Sequence, residues 1–162
     1  MRISVRLQAV VLPAVLFLSC VPSTPALAAS ISSGSADVAE DSSMLSQLEE
    51  RARHAEMREQ CYLYTQVVRV YSEIASREIA AGDMEHAAVN LKRIQQYTTE
   101  IHNGLAGNAR KLKEAEMILH AASHRLSEAI RYVSADDKAA LQMTLRQLDK
   151  VNDELLAMVF AH

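Results

Sequence analysis

The sequence reads as an all-α protein: an antiparallel up-down four-helix bundle with a long first helix, set behind an N-terminal signal peptide. Three observations carry that reading. From Met44 onward there is no proline. In the same stretch glycine falls at only two places, Gly82 and the pair Gly104 and Gly107. Between those breaks the apolar residues recur every three or four positions, the period that puts them on one face of a helix.

The first 28 residues have the layout of an export signal. Arg2 and Arg6 form a positive start, Leu7 to Leu18 an apolar core, and Ala26-Leu27-Ala28 the A-x-A pattern that signal peptidase cuts. The apolar run is shorter than the roughly 20 residues that cross a bilayer. Pro13 interrupts it, and Pro22 and Pro25 follow it. Cys20 raises the alternative of a lipid anchor, but such a site calls for a small residue two positions ahead, where Leu18 stands. The expectation is therefore cleavage after Ala28, a periplasmic or secreted location, and no transmembrane segment in the mature chain.

Loss of the leader leaves 15 Lys and Arg against 20 Asp and Glu, a net charge of -5. A mildly acidic, mixed surface argues against nucleic acid as a partner, because phosphate binding requires clustered Lys and Arg. Cys61 becomes the sole cysteine, so no internal disulfide forms and stability must come from packing.

Residues 29–43 are rich in Ser, Ala, Asp and Gly, with only Ile31 and Val38 as sizeable apolar groups, and read as a flexible leader. Residues 44–162 form one helical domain, with helices expected at about 44–81, 84–103, 109–133 and 135–161. In the first helix Leu63, Val67, Val70 and Ile74 make a stripe. Upstream, Leu45, Leu48, Ala52 and Ala55 follow another register, and the phase slips near Glu59 to Tyr62. Unbroken, this helix is about 57 Å long against roughly 30 to 40 Å for the others, so about four turns overhang the bundle or fold back on it. The overhang carries Glu49 with Arg53 and Glu50 with His54 at i,i+4 spacing, a solvated face without which the remainder is expected to fold.

The second helix has its stripe at Met84, Ala87, Leu91, Ile94, Thr98, Ile101 and Leu105, and the third at Leu112, Ala115, Leu119, Ala122, Leu126, Ala129 and Val133. The fourth begins after Ser134, whose hydroxyl can cap a new first turn bearing Asp136 and Asp137, and its stripe is Leu141, Leu145, Leu148, Val151, Leu155 and Met158. The joint at Asn103 to Asn108 decides the assembly. If Gly104 ends a helix and Asn108 caps the next, short connections make neighbours antiparallel with crossings of about 20°. If helix continues through, the second and third helices fuse into a rod that a second chain must close.

Tyr71, Ile74, Ala75, Gly82, Ala87 and Leu91 have the spacing of a single tetratricopeptide helix pair. The resemblance covers one repeat. One period further on, Glu116 falls where the glycine belongs and Arg125 where the apolar residue belongs, so the segment reads as a generic helical hairpin.

The candidate metal ligands are His120 and His124, one turn apart, with Glu116 and Glu128 a turn before and after. Spacing of i,i+4 puts both imidazoles on one face, where they could hold Zn or Cu with a further group. That face is the polar side of the third helix, away from the Leu112, Leu119 and Leu126 stripe, which also suits two solvated histidines. Cys61 could serve as a nucleophile only with a base beside it and a lowered pKa, and its setting suits a small buried residue instead. Tyr62, Tyr64 and Tyr71 are the candidate contact surface, tyrosine being favoured at interfaces, although lateral capping of a core accounts for them equally.

No G-x-S-x-G, Gly-rich phosphate loop, H-E-x-x-H or C-x-x-C-H is present, and four glycines leave little loop in which to build a pocket. No enzymatic activity and no cofactor are expected. The expected function is a non-catalytic interaction or structural module of the cell envelope, acting on another envelope protein or on itself. The alternative is a periplasmic metal-binding bundle using the surface His pair.

Overall fold

The computed structural model describes residues 33–106 and 109–161, with side-chain surroundings from Ser42 onward. The expected signal peptide and Cys20 lie outside the described residues. Five α-helices pack against one another: α1 Ser33–His54, α2 Met57–Ala81, α3 Met84–Leu105, α4 Leu112–Ala129 and α5 Lys138–Ala161, with a short 3-10 turn at Ile130–Tyr132 after α4.

The long first helix of the sequence reading is two helices. The register slip is resolved by a break at Ala55 and Glu56, where the Glu56 backbone is extended at φ -59° and ψ 143°. Nothing in the local sequence is a strong breaker, so side chains must stabilise the ends. The Gln60 amide donates to the Arg53 carbonyl at 3.3 Å, satisfying one of the last acceptors of α1. Glu50 meets Arg53 at 2.8 Å and His54 at 2.6 Å, and these basic groups sit at the negative end of the helix. The chain then reverses, and α1 folds back along α2 with Leu45 and Ala52 in the core. Leu45 and Ala52 of the overhang are therefore buried, so α1 is not a wholly solvated face and takes the fold-back alternative. Helix also begins at Ser33, within the stretch read as a flexible leader.

The α2–α3 turn is built on Gly82, at φ 79°, a left-handed conformation that glycine adopts without a Cβ clash. Asp83 then caps α3, accepting the His86 N–H at 3.2 Å and meeting its Nδ1 at 2.7 Å. Those contacts hold the Asp83 carboxyl below its usual range and raise the His86 imidazole. α3 and α4 are separate helices, and Arg110 N–H donates to the Arg58 carbonyl at 2.8 Å, tying the joint to the start of α2. α4 begins at Leu112, three residues later than expected, behind Lys111 in the left-handed region at φ 58°. Ser134 Oγ accepts the Asp137 N–H at 3.3 Å ahead of α5.

Cross-helix contacts fix the directions. Asn90 reaches Glu78 and Gly104 lies against Cys61, so α2 and α3 are antiparallel. Arg110 pairs with Arg58 and Arg125 with Glu73, so α4 runs parallel to α2. Gln95 bonds Thr144 and His102 meets Glu154, so α5 runs parallel to α3. The main packed pairs are α2 with α3, α2 with α4, α4 with α5 and α3 with α5. The α2–α3 and α4–α5 hairpins thus lie side by side, and the α3–α4 joint links a diagonal pair. The antiparallel relation expected of sequential helices holds for α2 with α3, whereas α3 and α4 are not among the main packed pairs.

The stripes read from the sequence face this core. Ala87, Leu91, Ile94, Ile101, Ala115, Leu119, Ala122, Leu126, Leu141, Leu148 and Leu155 are buried, and Met84, Leu112, Leu145 and Met158 pack at its edges. Two buried hydroxyls are satisfied within their own helices, Ser72 donating to the Val68 carbonyl at 2.8 Å and Thr98 to that of Ile94 at 2.7 Å, while Ser123 donates across to Asp149 of α5 at 2.6 Å. Among the described residues no helix is long and apolar enough to cross a membrane.

Leu119 is wholly buried at the centre of α4. Leu119→Ala is expected to cost about 2 to 5 kcal/mol through lost burial and the cavity left behind. Urea denaturation checks this, and a loss below about 1 kcal/mol would place Leu119 on the wrong face.

Candidate functional site

A groove runs along α2, banked by α1 on one side and closed at one end by Lys111, just before α4. Its position depends on how α1 is held. Glu49 on α1 is half-buried over the α2–α3 hairpin and accepts two phenolic hydrogen bonds on one carboxylate oxygen, from Tyr71 at 2.7 Å and from Tyr97 at 2.8 Å. The rings are stacked in series, with Tyr97 5.7 Å from Tyr64 and 5.9 Å from Tyr71. Hydroxyls too deep to be fully hydrated thus gain a charged acceptor, and α1 gains an anchor on two helices at once. Burial, then the Glu49 hydrogen bond, raises Tyr71 strongly and pushes Tyr97 up to about 12.

With α1 fixed, a concavity of about 660 Å³ opens between it and α2. Met44, Leu45 and Leu48 of α1 and Tyr62, Leu63 and Val70 of α2 form its apolar walls. Arg51, Arg69, Arg77 and Lys111 stand around it, with Glu73 as the single acid among its lining residues. Glu73 is shared, its Oε1 lying 3.6 Å from Arg69 and 3.7 Å from Arg125. The Lys111 ammonium sits 4.4 Å over the Tyr62 ring, a cation–π contact that holds the charge at the groove's end. A smaller recess of about 510 Å³ on the α1, α2 and α3 side is lined by Tyr71, Ile74 and Asn90, and carries Glu78 and Asp83 beside Arg77.

Tyr62 lines the groove, half-buried, while Tyr64 and Tyr71 are buried in the ring stack. The expected contact surface therefore divides: Tyr62 faces the larger groove, Tyr71 reaches the smaller recess, and Tyr64 lines neither. His120, His124 and Glu128 are exposed on α4 and Glu116 is half-exposed. Among the described residues no group of three or more His, Cys, Asp or Glu side chains stands close enough to hold a metal ion, so these four are not assembled into a site. Cys61 is wholly buried against Gly104, and desolvation raises its thiol to about 11, which suppresses the thiolate that nucleophilic chemistry requires.

The groove was missed in the sequence because its cations belong to three separated segments, each of which alone looks like a solvated helix face. Comparison with protein-family models, with curated proteins and with solved structures found no match to this chain.

Two tests follow from the anchor. Glu49→Ala is expected to leave α2 to α5 folded while freeing α1, so that trypsin cuts faster at Arg51, Arg53 and Arg58; unchanged cleavage would show that Glu49 does not hold α1. A phenol raised on folding stabilises the folded state fully below its ordinary pKa of 10, and that contribution is lost as pH rises through about 12. Thermal melting of the wild type should therefore fall more steeply than that of Tyr97→Phe between pH 10 and pH 12, and parallel curves would remove the linkage.

Proposed function

We propose that this protein is a non-catalytic interaction module of the cell envelope that docks another protein in the α1–α2 groove. The observation that carries the docking role is the groove itself: apolar walls, a rim of basic side chains, and a bank of α1 held by Glu49. Pre-formed concavities of about 300 to 1,000 Å³ lined by apolar groups with a few placed polar ones are the usual form of a binding site. The envelope location rests on the export pattern of the first 28 residues. The non-catalytic reading rests on what the described side chains offer. The buried thiol is suppressed, and the histidines among the described residues are dispersed over the surface.

A photo-crosslinking residue at Gln66, which lines the groove, tests the reading in the cells that make the protein, with Gln142 on the exposed face of α5 as control. The expected result is a discrete adduct with a second protein from position 66 and none from position 142. No adduct from 66, or equal adducts from both, would overturn the docking site. A crosslinked dimer of this chain would replace it with self-association.

A further inference from the structure

We infer that the occupant of the groove is an acidic amphipathic helix of the partner protein, its apolar stripe against Met44, Leu48 and Val70 and its carboxylates against Arg51, Arg69 and Lys111. The inference rests on the docking reading above and adds the chemistry of the partner.

Charge is the first argument. The chain as a whole carries 20 acids against 17 basic residues, yet among the described lining residues Arg51, Arg69 and Lys111 stand with one acid. That acid, Glu73, is already shared by Arg69 and Arg125. A partner bearing carboxylates is steered in and held in register, whereas a basic one is repelled.

The second argument is length. The lining residues on α2 run from Tyr62 to Arg77, about 22 Å at 1.5 Å per residue, close to four helical turns. The cations are distributed along that length. Lys111 sits beside Tyr62 at one end, Arg69 lies midway, and Arg51 is on the α1 bank. A single-headed amphiphile such as a fatty acid presents its one carboxylate at one end only. A helix with an apolar stripe at i, i+3/4 and i+7 and acids on both flanks meets the apolar floor and both charged banks together. Met44, at 61 % exposure, is the most open of the apolar wall residues, whereas Leu45 and Leu63 are buried.

The third argument is the kind of recognition the walls permit. The groove runs mainly between α1 and α2, whose mid-helix backbone groups are paired internally, so side chains must do the reading there and no strand edge is offered.

The test uses the full chain and a fluorescent helical peptide of about 18 residues, long enough for the groove, with leucines at the stripe positions and glutamates on both flanks. The comparison peptide replaces every glutamate with lysine. Fluorescence anisotropy is expected to show the glutamate peptide binding at least about tenfold more tightly than the lysine peptide, with the difference shrinking as salt is raised. The double variant Arg51→Glu with Arg69→Glu, its fold checked by circular dichroism, should invert that preference. Should this variant unfold, the peptide pair and the salt series on the wild type still decide the matter. Equal binding of the two peptides, binding of neither, or an unchanged preference in a folded double variant would overturn the inference. Tight binding of oleate that excludes the glutamate peptide would also overturn it, assigning the groove to a single-headed amphiphile. A protein adduct at Gln66 in the cell combined with failure of the glutamate peptide would retain the docking site and remove only the acidic helix.

Discussion

One carboxylate oxygen on Glu49, bonded by the phenols of Tyr71 and Tyr97, fixes the feature of this protein that most bears on function. Apart from a partial apolar face, α1 has little to hold it: its buried groups among the described side chains are Leu45 and Ala52, and its main packed neighbour is α2. A helix with so small an apolar contribution owes its placement to a specific polar contact. Glu49 supplies one that reaches α2 and α3 together, so α1 is positioned against the hairpin rather than against a single helix. Hydrogen bonds to a charged acceptor are stronger than neutral ones, and here one acceptor serves two donors.

The groove is a consequence of that placement. α2 is the hub of the fold, packing on α3, on α4 and on α1, and α1 and α4 leave a channel along its outer side. Had α1 continued straight from α2, Met44, Leu48 and Arg51 would lie far from Val70 and Arg69, and neither the apolar floor nor the second charged bank would exist. The parallel arrangement of α2 and α4 also matters, because it brings Lys111 to the Tyr62 end and Arg125 to Glu73. The diagonal α3–α4 connection therefore shapes the same surface that the folded-back α1 completes.

Much of this was legible in the sequence. The stripes through Leu91, Ile94 and Ile101, through Leu119 and Leu126, and through Leu148 and Leu155 identify the buried faces, because one face of each helix meets one core. Gly82 and Ser134 mark their turns for the reasons their chemistry suggests. The slip between Ala55 and Leu63 signals that α1 and α2 cannot share a face, but it does not locate the break, since no proline or glycine stands at Glu56. Helix adjacency was not legible, because a short joint specifies direction more strongly than it specifies which neighbour a helix meets. The Glu49 anchor and the groove were least accessible. Glu49 and Tyr97 are 48 residues apart, and an i,i+4 charge pattern on α1 looks the same whether the helix is solvated or docked.

The account depends most on α1 lying back along α2, and a distance between spin labels measures that directly. Met44→Cys and Ala80→Cys place labels at exposed positions, Cys20→Ser removes the other labelling site, and the buried thiol of Cys61 stays unlabelled. Double electron–electron resonance on the full chain is expected to give a narrow distribution below about 25 Å, as for two packed helices plus the reach of the labels. A distance near 54 Å, the separation of residues 44 and 80 along one continuous helix at about 1.5 Å per residue, would contradict the fold-back and with it the groove.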